Sequence, residues 1–182
     1  MFSDLRKRKL TRFFNVLDRD GDGTITSADP EMVITNLASI RKLSPGMPKY
    51  DTFRAGFLAY WDDLMKRSDA NDDGVVTLDE WLAYHEQMLA DEQKFEYTVA
   101  FSAGIMFALM DVDDDGKITL EEYGEWMKAW GMNAESLSAD IFAKLDRNGD
   151  GTLSQSEVLA LTHEFYYSED PDAPGNWAMG QY

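Results

Sequence analysis

The chain is 182 residues long, is 44% apolar with five Trp, eight Tyr and ten Phe, and carries a formal charge of −17. That length and apolar content allow a sizeable core and exclude extended disorder; the lack of cysteine excludes disulfides, thiolate metal sites and cysteine nucleophiles. With 34 acids against 17 bases, nucleic acid and anionic membranes, which select basic surfaces, are not expected partners.

The opening MFSDLRKRKL has no long apolar segment, and Phe2 stands where N-myristoylation needs glycine. No leader, membrane span or lipid anchor is therefore expected, and a cytoplasmic chain is the default. The run Arg6–Lys9 reads as a solvated helix face that offsets the acidic remainder, with a docking patch as the alternative. Leu10, Phe13, Phe14 and Leu17 form an apolar helical stripe that leads into DRDGDGTITSAD, residues 18–29. A helix is expected from near Pro30, because proline suits a first helical turn. KLSPGMPKY, from Lys42 to Tyr50, then marks a turn.

A second stripe, Phe53, Phe57, Tyr60, Trp61 and Leu64, precedes DANDDGVVTLDE, residues 69–80, with a helix expected from near Asp79. The segment Trp81–Met110 is dense in aromatics and methionines, and its Phe95, Val99, Met106, Leu109 and Met110 lead into DVDDDGKITLEE, residues 111–122. A helix should follow from Leu120. Leu137, Ile141, Phe142 and Leu145 precede DRNGDGTLSQSE, residues 146–157, and the last helix should start near Gln155.

These loops are a fourfold repeat. The last three satisfy D-x-[DN]-x-[DN]-G-x5-E, and the first departs only at its final acid. Calcium is a hard cation that takes six to eight oxygens at about 2.3–2.6 Å, and a twelve-residue turn bearing acids at positions 1, 3, 5 and 12 supplies them. The candidate ligands are Asp18, Asp20, Asp22, Thr24 and Asp29 in the first loop, and Asp69, Asn71, Asp73, Val75 and Glu80 in the second. In the third they are Asp111, Asp113, Asp115, Lys117 and Glu122, and in the fourth Asp146, Asn148, Asp150, Thr152 and Glu157. Position 7 contributes only its carbonyl, so its side chain varies freely. Glycine at position 6 (Gly23, Gly74, Gly116, Gly151) permits a backbone angle that a side chain resists. Apolar position 8 (Ile25, Val76, Ile118, Leu153) is expected to form a short strand pairing neighbouring loops, and Thr26, Thr77, Thr119 and Ser154 at position 9 to act through water. The plain alternative for each loop is an Asp/Gly-rich surface turn without metal.

In the first loop Asp29 is one methylene shorter than glutamate, so it should bind through one oxygen. Magnesium prefers octahedral geometry and resists bidentate crowding. It should therefore compete most readily at this loop. The expected fold is all-α, with eight helices: four EF-hand helix–loop–helix units in two paired lobes packed into one compact globule. Residues 1–90 would form one pair, 91–167 the other, and 168–182 a tail packed on the body.

Four such loops, the chain length, the wide first gap and the tail FYYSEDPDAPGNWAMGQY (165–182) resemble the sarcoplasmic calcium-binding proteins and the calerythrin-like proteins, relatives of calcium-regulated photoproteins and luciferin-binding proteins. The resemblance implies a cytosolic calcium and magnesium buffer, binding up to four Ca²⁺ with Mg²⁺ competing. The family often carries a degenerate loop; here all four look competent.

A calcium sensor that exposes a methionine-rich surface to a partner helix is the alternative, since the chain has ten methionines. Against it, Met65, Met88, Met106 and Met110 sit at helical spacing on core faces. A coelenterazine-binding photoprotein or luciferin-binding protein is a third reading, carried by His163 beside Tyr166 and Tyr167. The first helix lacks the histidine of those photoproteins, the second loop is intact, and the chain ends in Tyr182 rather than proline. No enzyme is expected: His85-Glu86 and His163-Glu164 lack the second histidine of a metalloprotease helix. The expected partners are metal ions; no protein partner is evident, and a monomer is expected.

Overall fold

The computed structural model describes residues 2–132 and 135–180, apart from the side chains of residues 92–95, 97–98 and 135–137. Among the described residues, eight α-helices alternate with four short strands: α1 Asp4–Leu17, β1 Thr24–Ile25, α2 Asp29–Ile40, α3 Pro48–Ser68, β2 Val76–Thr77, α4 Leu78–Ala90, α5 Glu92–Met110, β3 Lys117–Thr119, α6 Leu120–Ala129, α7 Glu135–Leu145, β4 Thr152–Ser154 and α8 Gln155–Tyr167. A 3₁₀ turn, Pro174–Trp177, follows in the tail.

The apolar stripes account for what is buried. α1 buries Leu10, Phe13, Phe14 and Leu17, α3 buries Phe57 and Trp61, and Ile141, Phe142 and Leu145 are buried on α7. Phe95 and Leu137 lie outside the described side chains. Position 8 of every loop is at most 1% exposed, because the strands pair across neighbouring loops. β1 and β2 run antiparallel with Ile25 opposite Val76, as do β3 and β4 with Ile118 opposite Leu153.

Only Asp91 separates α4 from α5. One apolar cluster runs through all eight helices. Phe13 meets Phe165 edge-on at 6.0 Å, and Phe57 meets Trp130 at 6.2 Å.

Only half of the Arg6–Lys9 run, Lys7 and Arg8, is a solvated face. Lys9 is fully buried, with Nζ donating to Asn176 Oδ1 at 2.8 Å, to the Ser168 carbonyl at 2.9 Å and to the Glu164 carbonyl at 3.4 Å. Burial, with Arg6 close by, lowers this ammonium to about 8. Arg6 pairs with Glu169 at 2.7 Å, and Arg12 Nε donates to the Met179 carbonyl at 3.0 Å. A run of like charge survives here because two of its members satisfy carbonyls and acids of the returning tail; Lys7 and Arg8 remain exposed.

His85 is 2% exposed. Its Nδ1 lies 2.8 Å from the Trp81 carbonyl, and its ring stacks on Tyr166 at 5.8 Å. Burial holds it down to about 4 and therefore neutral. An unfolded histidine takes its proton near 6.5. Between pH 6.5 and 4 the unfolded chain thus binds a proton that the folded chain refuses, and stability falls with pH by up to about 1.4 kcal/mol per pH unit. Urea unfolding of wild type and His85→Phe across this range should show the wild type losing stability more steeply. Parallel curves would refute a neutral buried imidazole.

Candidate metal centres

Each loop folds its first aspartate back onto the N–H groups of the turn. Asp18 accepts from Gly21 N at 2.8 Å and Gly23 N at 2.9 Å. Asp69 accepts from Asp72 N at 2.7 Å and Gly74 N at 2.8 Å. Asp111 accepts from Gly116 N at 3.0 Å, and Asp146 from Gly149 N at 2.8 Å and Gly151 N at 2.9 Å. Position 5 then accepts from the N–H of position 7: Asp22 from Thr24, Asp73 from Val75, Asp115 from Lys117 and Asp150 from Thr152, all at 2.8–2.9 Å. Position 3 (Asp20, Asn71, Asp113, Asn148) accepts from the N–H of position 5. The chain thereby coils with its carboxylates on the inside of the turn.

The glycines at position 6 take the expected positive φ, 80–90°. Position 4 does so as well: Gly21, Asp72, Asp114 and Gly149 lie at φ 59–74°. The signal was present, since Gly and Asp are among the few residues that tolerate that conformation.

Position 12 brackets the loop. Glu122 accepts from Val112 N at 2.9 Å and Thr119 N at 2.8 Å; Glu80 accepts from Ala70 N at 3.3 Å and Thr77 N at 2.9 Å. Asp29 reaches the equivalent donors, Arg19 N and Thr26 N, each at 2.7 Å. In the fourth loop Glu157 Oε2 takes Ser154 N at 2.9 Å. Its Oε1 is buried without a hydrogen-bond partner, and a cation ligand would satisfy it.

Position 9 has a role that the sequence reading missed. Thr77, Thr119 and Ser154 are the N-caps of α4, α6 and α8, and each forms a reciprocal capping box with the position-12 glutamate. The signal is the T/S-x-x-E spacing itself. The same glutamate therefore starts the helix and closes the loop. The first loop lacks this device: Ala28 precedes α2 in helical geometry without a side-chain cap, and Pro30 lies in the first turn.

Hydrogen bonds tune the acids. At Asp69, slight desolvation would raise the carboxyl, but the N–H groups of Gly74, Asp72 and Asp73 outweigh it and hold the group below the usual carboxylate range. Glu80 is lowered by Thr77 N–H and hydroxyl, and Asp150 by the Thr152 hydroxyl and N–H. At Glu122, burial acts upward and donation from Thr119 and Val112 wins.

Among the described residues, Asp18, Asp20 and Asp22 bring one carboxylate oxygen each within 4.8 Å of one another, as do Asp111, Asp113 and Glu122. In the second and fourth loops asparagine stands at position 3, so one carboxylate fewer faces the turn.

Paired acidic loops, each between two helices and joined by a two- or three-residue ladder, define a helix–loop–helix cation-binding protein. The EF-hand model matches residues 11–29, 105–128 and 139–161. The chain is 30% identical to the luciferin-binding protein of Renilla reniformis over 97% of its own length and 92% of the relative's. It is 29% identical to sarcoplasmic calcium-binding proteins II, V, VI and VII of Branchiostoma lanceolatum over 98% of both chains. The amphioxus sarcoplasmic calcium-binding protein structure superimposes over the whole of both chains with a TM-score of 0.74 at 27% identity. The chain belongs to the EF-hand family and is a calcium-binding protein related to the sarcoplasmic calcium-binding proteins. No helix among the described residues is long and apolar enough to cross a membrane.

Proposed function

We propose that this chain is a non-catalytic, cytoplasmic Ca²⁺/Mg²⁺ buffer that holds up to four cations. The proposed ligands are position 1, 3, 5, 7 and 12 residues of the four loops, Asp18–Asp29, Asp69–Glu80, Asp111–Glu122 and Asp146–Glu157. Residues 1–90 and 91–167 would form the two loop pairs, with 168–182 as a tail pinned to the body.

The observation that carries the buffer reading is the filled interior. Trp61, Trp81, Trp126 and Trp130 are all at most 4% exposed, and Met88, Met110, Met127 and Met132 are buried. Among the described residues, the exposed large apolar ones, Met32, Met47, Phe101, Leu120 and Leu159, are few and fall on different elements of the chain. A sensor opens such an interior to bind a partner; a buffer barely opens.

The Renilla relative's name raises the luciferin reading. A cavity of about 60 Å³ lies among Tyr60, Met106, Tyr123, Trp126, Phe165 and Tyr166. Benzene fits an apolar cavity of about 150 Å³, so this one is too small for a ligand of several rings; the larger cleft of about 340 Å³ that shares Tyr60 is bordered by the charged Asp63 and Arg67. His163, the residue that suggested that reading, is half exposed, 3.6 Å from Glu96, and does not line the cavity.

Calorimetric calcium titration in millimolar magnesium, with an apolar dye read in parallel, tests the proposal. Calcium uptake without a gain in dye fluorescence is expected; a sharp gain would replace the buffer reading by the sensor one.

The first loop should favour magnesium more than its siblings. Its exit helix starts at position 12 instead of position 10, and its closing acid, Asp29, is one methylene shorter than the glutamate of the other three loops. Asp29→Glu is expected to raise the calcium-over-magnesium preference of that loop, read from competition titrations. An unchanged preference would show that the residue at position 12 does not set it.

A further inference from the structure

The two helices of the third unit end on side chains of the first. α5 has no basic residue in its own last turn. Arg41, the C-cap of α2, occupies that place: its Nη2 donates to the carbonyls of Leu109 and Asp111, each at 3.1 Å, and to that of Ala108. Asp111 is position 1 of the third loop, and its side chain accepts the Gly116 N–H. α6 is met in the same way. Asn36 Nδ2 of α2 donates to the Ala129 carbonyl at 3.0 Å, and Arg19 Nη1 to the Trp130 carbonyl at 2.5 Å. Arg19 is position 2 of the first loop, and its own N–H is held by Asp29, the closing acid of that loop.

The last carbonyls of a helix lack partners within it and carry its negative dipole end, so a guanidinium there is favourable. Here that general effect has a particular consequence. The angle between α5 and α6 decides how the third loop presents its ligands, and both helix ends are gripped by residues of the first loop and of α2, the helix that leaves it. We propose that the first and third loops form one coupled unit across the two halves, in which Arg41 and Arg19 are positioning residues: a cation in the first loop tightens cation binding in the third. By linkage, a cation in the third tightens the first by the same factor, on the order of tenfold. This rests on the metal-site assignment proposed above.

The test is a calcium titration of the full chain followed by NMR at the Gly23 and Gly116 amides, position 6 of the two loops. Disabling the first loop with Asp20→Ala and Asp22→Ala together should weaken binding at Gly116 about tenfold, and disabling the third with Asp113→Ala and Asp115→Ala should weaken binding at Gly23 equally. In an Arg41→Gln background the effect of disabling the first loop on Gly116 should shrink, since only the Arg19 and Asn36 contacts to α6 remain, and Arg41→Lys should restore part of it. Third-loop affinity within about twofold of wild type after the first loop is disabled overturns the coupling. A coupling undiminished by Arg41→Gln overturns the role of Arg41. If neither amide responds to calcium in the wild type, the site assignment itself fails, which is a separate result. The reciprocal pair of loop variants keeps the test decisive should Arg41→Gln not fold.

Discussion

Withdrawing calcium is expected to lower the free energy of unfolding by about 4 kcal/mol for every site that had been held at a thousand times its dissociation constant. The folded chain gathers like charges that the unfolded chain disperses: Asp18, Asp20 and Asp22 converge within 4.8 Å, as do Asp111, Asp113 and Glu122. Backbone N–H groups offset part of that repulsion, and a divalent cation neutralises the rest, so its binding energy becomes folding energy. Urea unfolding in millimolar calcium against the same buffer with a chelator measures the effect. A midpoint that does not move would contradict all four sites at once. The pairing of loops through β1–β2 and β3–β4 should make sites within a pair fall together.

Trp81→Ala is expected to cost about 3–5 kcal/mol, within the range for deleting a buried aromatic. Trp81 is 1% exposed. It packs edge-on against Phe13 at 5.2 Å and Phe14 at 6.4 Å, lies 4.1 Å from the His85 ring, and donates its indole N–H to the Leu10 carbonyl at 3.0 Å. Removal leaves a cavity where α1 crosses α4 and takes away the indole's hydrogen bond to the Leu10 carbonyl. The urea midpoint in saturating calcium checks this. Trp177, part-exposed with the Lys144 ammonium 3.4 Å from its ring, should cost clearly less when replaced by alanine. Equal losses at the two positions would mean that burial does not decide the cost.

How much of this was legible beforehand follows the range of each interaction. The loops were readable because their hydrogen bonds close over two to five residues, as between Asp18 and Gly23 or Asp150 and Thr152. The capping boxes were equally readable, since Thr77 and Glu80 are three residues apart; the metal reading of position 9 drew attention from it. The α1 stripe stated its buried face through its own period.

The Arg6–Lys9 run was misread in part, for the opposite reason. Lys9 meets Asn176, 167 residues away, and Arg41 meets Asp111, 70 residues away. Nothing near either cation in the chain marks its acceptor. The sequence by itself therefore determined the four loops, their flanking helices and the acids inside them, because those depend on spacing within a dozen residues. Only the tertiary structure decided which charges are buried, how the tail is held and which loop's frame grips another's helices, because each depends on acceptors brought close only when the helices pack.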